Sequence, residues 1–139
     1  MQVQPYLFFD GRCDEALEFY RHALGAQVTM LMRYKDSPVP HDPGTGDPAP
    51  AGDKLMHADV RIGDSTILAS DGHARNHPEF RGFGLSLTVS TEAEAQRTFA
   101  ALSAGGRVQM PLGKTFFSPQ FGMVTDRFGV MWMVIAEAR

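Results

Sequence analysis

Two side chains able to move a proton, His57 and Asp59, stand two residues apart in the stretch LMHADVRI. On an extended strand, residues i and i+2 point to one face about 7 Å apart. An imidazole and a carboxylate so placed can lean together as a base with its orienting acid, or serve as two ligands of a metal. Arg61 shares the face and offers Asp59 an ion-pair partner, and the plainer alternative is a polar patch or a network at a dimer interface. A second histidine pair, His73 and His77, follows Asp71 in DGHARNHPEF. Four-residue spacing suits ligands on a helix, but Pro78 and the lack of apolar periodicity predict an exposed loop. Cys13, at or just before a helix start, is placed where a thiol pKa can fall; without an evident base partner it is expected to be a small structural residue. His22, late in the same helix, is expected to meet the negative end of the helix dipole.

The chain that must position these groups has 139 residues, a 43% apolar fraction and 21% charged residues, enough for one compact domain with a core that needs no staples. A formal net charge of -3 supplies no basic field for phosphates, so nucleic acid is not an expected partner. The start MQVQPYLFFD has no positively charged leader pattern, no apolar run reaches membrane-spanning length, and the single cysteine forms no internal disulfide. These features predict a cytoplasmic protein without a membrane partner.

Two stretches share a plan: VQPYLFF leads through DGRC into DEALEFYRHALGAQV, and GLSLTVST leads into EAEAQRTFAALSAGGRV. Aligned on Glu15-Ala16 and Glu94-Ala95, Tyr20 meets Phe99, a repeat of about 80 residues that indicates duplication of a half-domain. Leu17, Tyr20 and Leu24 give the first helix an apolar face. Thr91 and Glu94 fit a capping box at the start of the second, and Gly25 and Gly105-Gly106 suit helix ends. Strands are predicted at about Ala26 to Tyr34, Lys54 to Ile62, Ser65 to Ser70, Arg107 to Leu112, Phe121 to Asp126 and Val130 to Ala136. Each half reads strand, helix, strand, strand, strand, with module 1 over about 1–72, module 2 over about 82–139, and a Pro/Gly-rich surface loop over about 35–53.

Alternation places Met56, Ala58, Val60 and Ile62 on one face and Leu55, His57, Asp59 and Arg61 on the other. Leu85, Leu87 and Val89 lie opposite Ser86 and Thr88. Val130, Trp132 and Val134 are expected against a helix, with Met131 and Met133 on the opposite side. Phe116, Phe117 and Phe121, with Lys114 and Ser118, are candidates for the mouth of a binding cup or for a hydrophobic plug.

The segments YLFFDGRCDEALEFY, MHADVRIGDSTILASD, LSLTVSTEAEAQRTFAALSAGGRVQMPL and FGMVTDRFGVMWMVI resemble the PhnB-like branch of the vicinal oxygen chelate superfamily, which contains glyoxalase I, extradiol dioxygenases and bleomycin-resistance proteins. The resemblance implies an α+β fold, two βαβββ modules forming a curved mixed sheet around a cup, in a homodimer. Metalloenzymes of that superfamily take His, Gln or Glu ligands from the first and last strand of each module. The matching positions here are Pro5, Leu68, Gly84 and Met133. None is a hard N/O ligand, so the resemblance implies no standard metal site and no cofactor. The branch is also labelled 3-demethylubiquinone 3-methyltransferase-like, yet no glycine-rich cofactor loop follows a strand.

The expected function is binding of a small, partly apolar organic molecule in a metal-free cup. Leu7, Phe9, Met131 and Met133 are its apolar contacts, His57, Asp59, Ser86 and Thr88 its polar anchors, and Phe117 lies at its mouth. His57 and Asp59 are the candidates if the protein is catalytic. The alternatives are a metal-dependent lyase, isomerase or dioxygenase whose divalent metal sits on displaced ligands at His57, Asp59 or the His73/His77 loop, and a non-catalytic structural or partner-binding dimer.

Overall fold

The structure is a computed structural model that describes residues 1–37, 50–72, 74 and 77–138. Most of the loop expected over 35–53, together with His73, therefore lies outside the described residues. The chain divides into two compact units, Met1–Glu79 and Phe80–Arg139.

The first unit holds β1 (Tyr6–Phe8), α1 (Cys13–Leu24), β2 (Gln27–Arg33), a short 3-10 turn (Tyr34–Asp36), β3 (Leu55–Ile62) and β4 (Ser65–Ser70). Its four-stranded sheet runs β1-β4-β3-β2, with β1 parallel to β4 and the other neighbours antiparallel. The second unit repeats the plan with β5 (Leu85–Val89), α2 (Glu92–Ser103), β6 (Arg107–Gly113), β7 (Phe121–Thr125) and β8 (Met131–Ala136), in the order β5-β8-β7-β6. Each unit is thus a βαβββ module, a four-stranded mixed sheet with one helix. The last strand of each lies parallel beside the first, and the helix and strands between them supply the long crossover that a parallel pair needs.

Each core lies between sheet and helix. In the first module Leu7, Phe9, Ala58, Val60, Ile67 and Ala69 are buried with Ala16, Leu17 and Tyr20 of α1, and the Phe9 and Tyr20 rings meet at 6.0 Å. In the second, Val124, Trp132 and Val134 are buried with Ala95, Phe99 and Leu102 of α2. Met131 and Met133 alternate onto the side away from the helix, as the sequence pattern requires.

The helix starts are secured differently. Thr91 Oγ1 accepts the Glu94 amide at 3.1 Å, while the Glu94 carboxylate returns to the Ser90 amide at 3.4 Å, the reciprocal capping the sequence predicts. α1 has no side-chain cap at Arg12. Its first amide turns instead to Asp71, 58 residues beyond Cys13: the carboxylate accepts Cys13 N at 2.8 Å, and also Gly11 N of the preceding turn at 3.0 Å and Leu55 N of β3 at 2.7 Å. Gly25 closes α1 at φ 66°, a left-handed conformation suited to glycine.

Two corrections to the expected faces follow from this packing. Leu7 and Phe9, expected in the cup, are 1% and 0% exposed against the helix, and Tyr6 and Phe8 take the other face. Leu55, expected beside His57, is fully buried, because β2 pairs Met32 with His57 but Arg33 with Leu55, leaving Met56 as an extra residue that breaks the alternation.

Candidate functional site

On the first module's sheet face away from α1, strand pairing sets residues in rows. Tyr6 pairs Leu68, Leu68 pairs Asp59, and Asp59 pairs Met30. One step along, Phe8 pairs Ser70 and His57 pairs Met32. Within this frame three polar side chains form a chain: Tyr6 Oη lies 2.7 Å from His57 Nδ1, and His57 Nε2 lies 2.6 Å from Asp59 Oδ1. An ionised carboxylate only accepts, so Nε2 carries a hydrogen and donates to Asp59. In neutral imidazole Nδ1 is then the acceptor, and the Tyr6 hydroxyl donates to it. The Tyr6 ring stacks on Phe8 at 4.7 Å, which restrains the phenol. Burial pushes Tyr6 above the usual tyrosine range, Tyr34 adds to the effect, and the Ser70 hydroxyl opposes it. Tyr6 is therefore a neutral phenol near pH 7.

The structure thus joins His57 to Asp59 and adds Tyr6, which sequence reasoning assigned no role. Arg61 does not take Asp59; its Nε donates to the Gly63 carbonyl at 2.9 Å. His22 pairs with Glu18 at 2.9 Å on the surface of α1, and His77 presents its backbone amide to Asp10 at 3.1 Å. Cys13 is buried, and burial, reinforced by Asp71 and Asp14, pushes its thiol far above the ordinary range. This is opposite to the shift of a reactive thiolate.

The corresponding face of the second module is thioether and hydroxyl. Ser86 pairs Met133, Met133 pairs Met123, and Met123 pairs Met110. A second row runs Thr88, Ile135, Phe121. Gly84 sits on this face beside Met131, whose Cε stands 2.5 Å from where a glycine-replacing Cβ would be. Phe117 lies off the sheet, edge-on to Phe121 at 5.1 Å and to a fully exposed Phe116 at 5.0 Å. With Ser90, Lys114, Ser118 and Glu137 it lines an open groove of about 310 Å³.

The two modules fix each other's register. Tyr6 and Ser86, Met30 and Met110, and Gly25 and Gly105 stand 80 positions apart, whereas the helices align 79 apart because the connection from strand to helix is one residue shorter in the second module. Counting back from the helix therefore puts the first-strand position on Pro5, whose carbonyl accepts the Leu68 amide at 2.9 Å. A slip of one residue exchanges faces, and the residue facing outward beside Leu68 is Tyr6.

The metalloenzymes of the superfamily that the sequence resembles hold a divalent ion through hard N/O ligands, and the outward groups at these positions do not fit one. The first module offers a phenol beside Leu68, and the second a hydroxyl beside the Met133 thioether, a soft donor. Among the described residues no three His, Cys, Asp or Glu side chains converge as a ligand set.

Paired βαβββ modules of this topology define a glyoxalase-like protein, and the sequence comparisons agree. The chain belongs to the Glyoxalase/Bleomycin resistance protein/Dioxygenase superfamily, whose family model matches residues 2–134. It is similar to protein YjdN of Escherichia coli, at 34% identity over 96% of this chain and 94% of that protein. Among solved structures it is similar to protein PA1353 of Pseudomonas aeruginosa, at 45% identity and TM-score 0.83 over 99% and 98% of the two chains. It is also similar to the PhnB protein of Bacillus cereus, at 25% identity and TM-score 0.77 over 98% and 99%. The PhnB-like resemblance drawn from the sequence therefore holds.

Proposed function

We propose that this PhnB-like protein binds a small, partly apolar organic molecule on the helix-free faces of its sheets and does so without a divalent metal or other cofactor. The observation that carries the reading is the outward donor set: Tyr6 and Leu68 in one module and Ser86 and Met133 in the other present oxygen donors and apolar surface where metalloenzyme relatives hold hard ligands. His57, Asp59, Tyr6, Ser86 and Thr88 are the polar anchors, and Met131, Met133 and Phe117 supply adaptable apolar contact.

The protein works as a homodimer in this reading. β2 and β6 are edge strands of their sheets, and Val28, Met30, Leu31, Val108 and Met110 are all about two-fifths exposed. An apolar edge strand open on both faces calls for a cover, and a second copy presents the same surface in return. Net charge -3 argues against nucleic acid as a partner, and no described helix is long and apolar enough to cross a membrane. A single buried cysteine suits the reducing cytoplasm.

Melting-temperature screening against small organic acids, phenols and divalent ions tests the binding reading. Stabilisation by an organic class, with less than about one-tenth equivalent of metal in protein purified without a histidine tag, is the expected result. Stabilisation by a divalent ion alone overturns it. Sedimentation of Met30→Glu and Met110→Glu tests the dimer, which either substitution should weaken.

A further inference from the structure

We propose that Tyr6, His57 and Asp59 form a proton relay that takes the proton of a conjugated O–H acid, a phenol or an enol, as it docks on the first module's sheet face. The inference rests on the binding reading above and assigns that face a chemistry.

With Nε2–H held by Asp59 at 2.6 Å and the Tyr6 hydroxyl given to Nδ1 at 2.7 Å, the phenol has no hydrogen left to donate, and its oxygen, beside the Ser70 hydroxyl, can only accept. The site therefore accepts a hydrogen bond from a ligand and has no proton to give. When a ligand O–H approaches Tyr6 Oη, its O–H bond breaks as a new Oη–H bond forms. The original Oη–H bond breaks as Nδ1–H forms. Charge balances as ligand anion and imidazolium, the latter held against the Asp59 carboxylate. The phenol that results donates to the ligand oxygen, so the pair formed by transfer is also hydrogen-bonded. Tyr6 stays a phenol throughout, which its partly desolvated position favours.

The ligand class follows from the strength of the base and from the lining. An imidazole is matched to acids that ionise within a few units of neutrality, as activated phenols and enols do. Phe8, Leu68, Met30 and Met32 surround the trio with apolar and thioether surface suited to a flat conjugated molecule. None of the side chains facing the trio from β2 and β4 (Met30, Met32, Leu68, Ser70 and Thr66) is ionisable. On β3 Arg61 is turned to Gly63, and Tyr34 and Cys13 act on Tyr6 through their fields. The acquired proton therefore resides on His57.

The test uses 4-nitrophenol, whose anion absorbs in the visible, titrated with the full-length protein in excess EDTA at a pH where the free compound is mostly protonated. Calorimetry reads binding and absorbance reads ionisation. The relay predicts that bound 4-nitrophenol is ionised, and that Tyr6→Phe and His57→Gln each reduce the ionised fraction of bound compound at least about tenfold. Asp59→Asn should move the absorbance pH profile upward, the mark of a positioning residue. Binding without the anion band, or a band that survives in Tyr6→Phe and His57→Gln, overturns the relay and leaves the binding reading standing. Absence of calorimetric binding by any phenol or organic acid overturns both. Tyr6→Phe removes one oxygen, so it decides the matter even if His57→Gln does not fold.

Discussion

Asp71→Asn is the substitution whose cost can be worked most directly from the geometry. The carboxylate is 1% exposed and receives three backbone amides: Gly11 and Cys13 on Oδ1, and Leu55 on Oδ2. An asparagine has one acceptor oxygen. In its better orientation that oxygen keeps Gly11 and Cys13, while its NH2 group faces the Leu55 N–H, donor against donor. Bonds to charged groups contribute about 1.5–3 kcal/mol each, and an unpaired buried amide costs about 1–3 kcal/mol. Loss of one such bond, a stranded Leu55 amide and weakening of the other two together give a cost of about 3 kcal/mol. That is a large share of the 5–15 kcal/mol or so typical of a domain. The assay is equilibrium urea unfolding at pH 7, where a slope of about 2 kcal/mol/M converts the cost to a midpoint drop of about 1.5 M. Thr91→Ala, which removes the ordinary cap of α2, serves as the internal reference at about 1 kcal/mol. If Asp71→Asn costs no more than Thr91→Ala, the assignment of Asp71 as the remote cap joining α1, β3 and β4 is refuted.

Burial raises the Cys13 thiol, with Asp71 and Asp14 adding to it, so the folded state holds the proton that the unfolded chain releases. Stability is full below about pH 8.5 and falls as pH rises above it, by about 1.4 kcal/mol per unit. Cys13→Ala should flatten this fall in thermal melts between about pH 8.5 and 10. Tyr6 and Tyr34, also raised mainly by burial, add a loss of the same sign from about pH 10. Two glycines on the second module should separate by an order of cost. A Cβ at Gly106 would lie 2.3 Å from the Thr125 carbonyl oxygen, whereas one at Gly84 meets chiefly the movable end of Met131, whose carbonyl oxygen stands off at 3.3 Å. In calorimetric melts Gly106→Ala should lose more than about 2 kcal/mol and Gly84→Ala less than about 1 kcal/mol.

How much of the fold the sequence displays depends on whether neighbouring side chains differ. In β8 Met131 and Met133 alternate with Trp132 and Val134, and β5 sets Ser86 and Thr88 against Leu85, Leu87 and Val89, so the faces of the second module are readable. In YLFF all four side chains are apolar or aromatic, and no parity is visible. Parity is set there by pairing with β4 and by Phe9 packing on Tyr20. The Met56 irregularity likewise depends on the partner strand. The link of His57 to Asp59 is local and follows from strand geometry, but Tyr6 reaches His57 across 51 residues because β4 intervenes between β1 and β3. The offset shared by Tyr6 and Ser86 was the available clue, concealed by the different offset of the helices.

The duplicated frame separates the residues that hold each module together from those that face outward. Trp132 gives its Nε1–H to Asp126 at 2.9 Å, and that carboxylate also takes the Phe128 and Val130 amides, while its neighbours Met131 and Met133 take no part in that network. Ahead of a shared methionine, the equivalent outward rows have diverged to carry a tyrosine, a leucine and an aspartate in one copy and a serine and two methionines in the other, on the same backbone. The two copies can drift apart in chemistry at little cost in stability. A scaffold so divided is one on which selection can rewrite the ligand without first having to refold the protein.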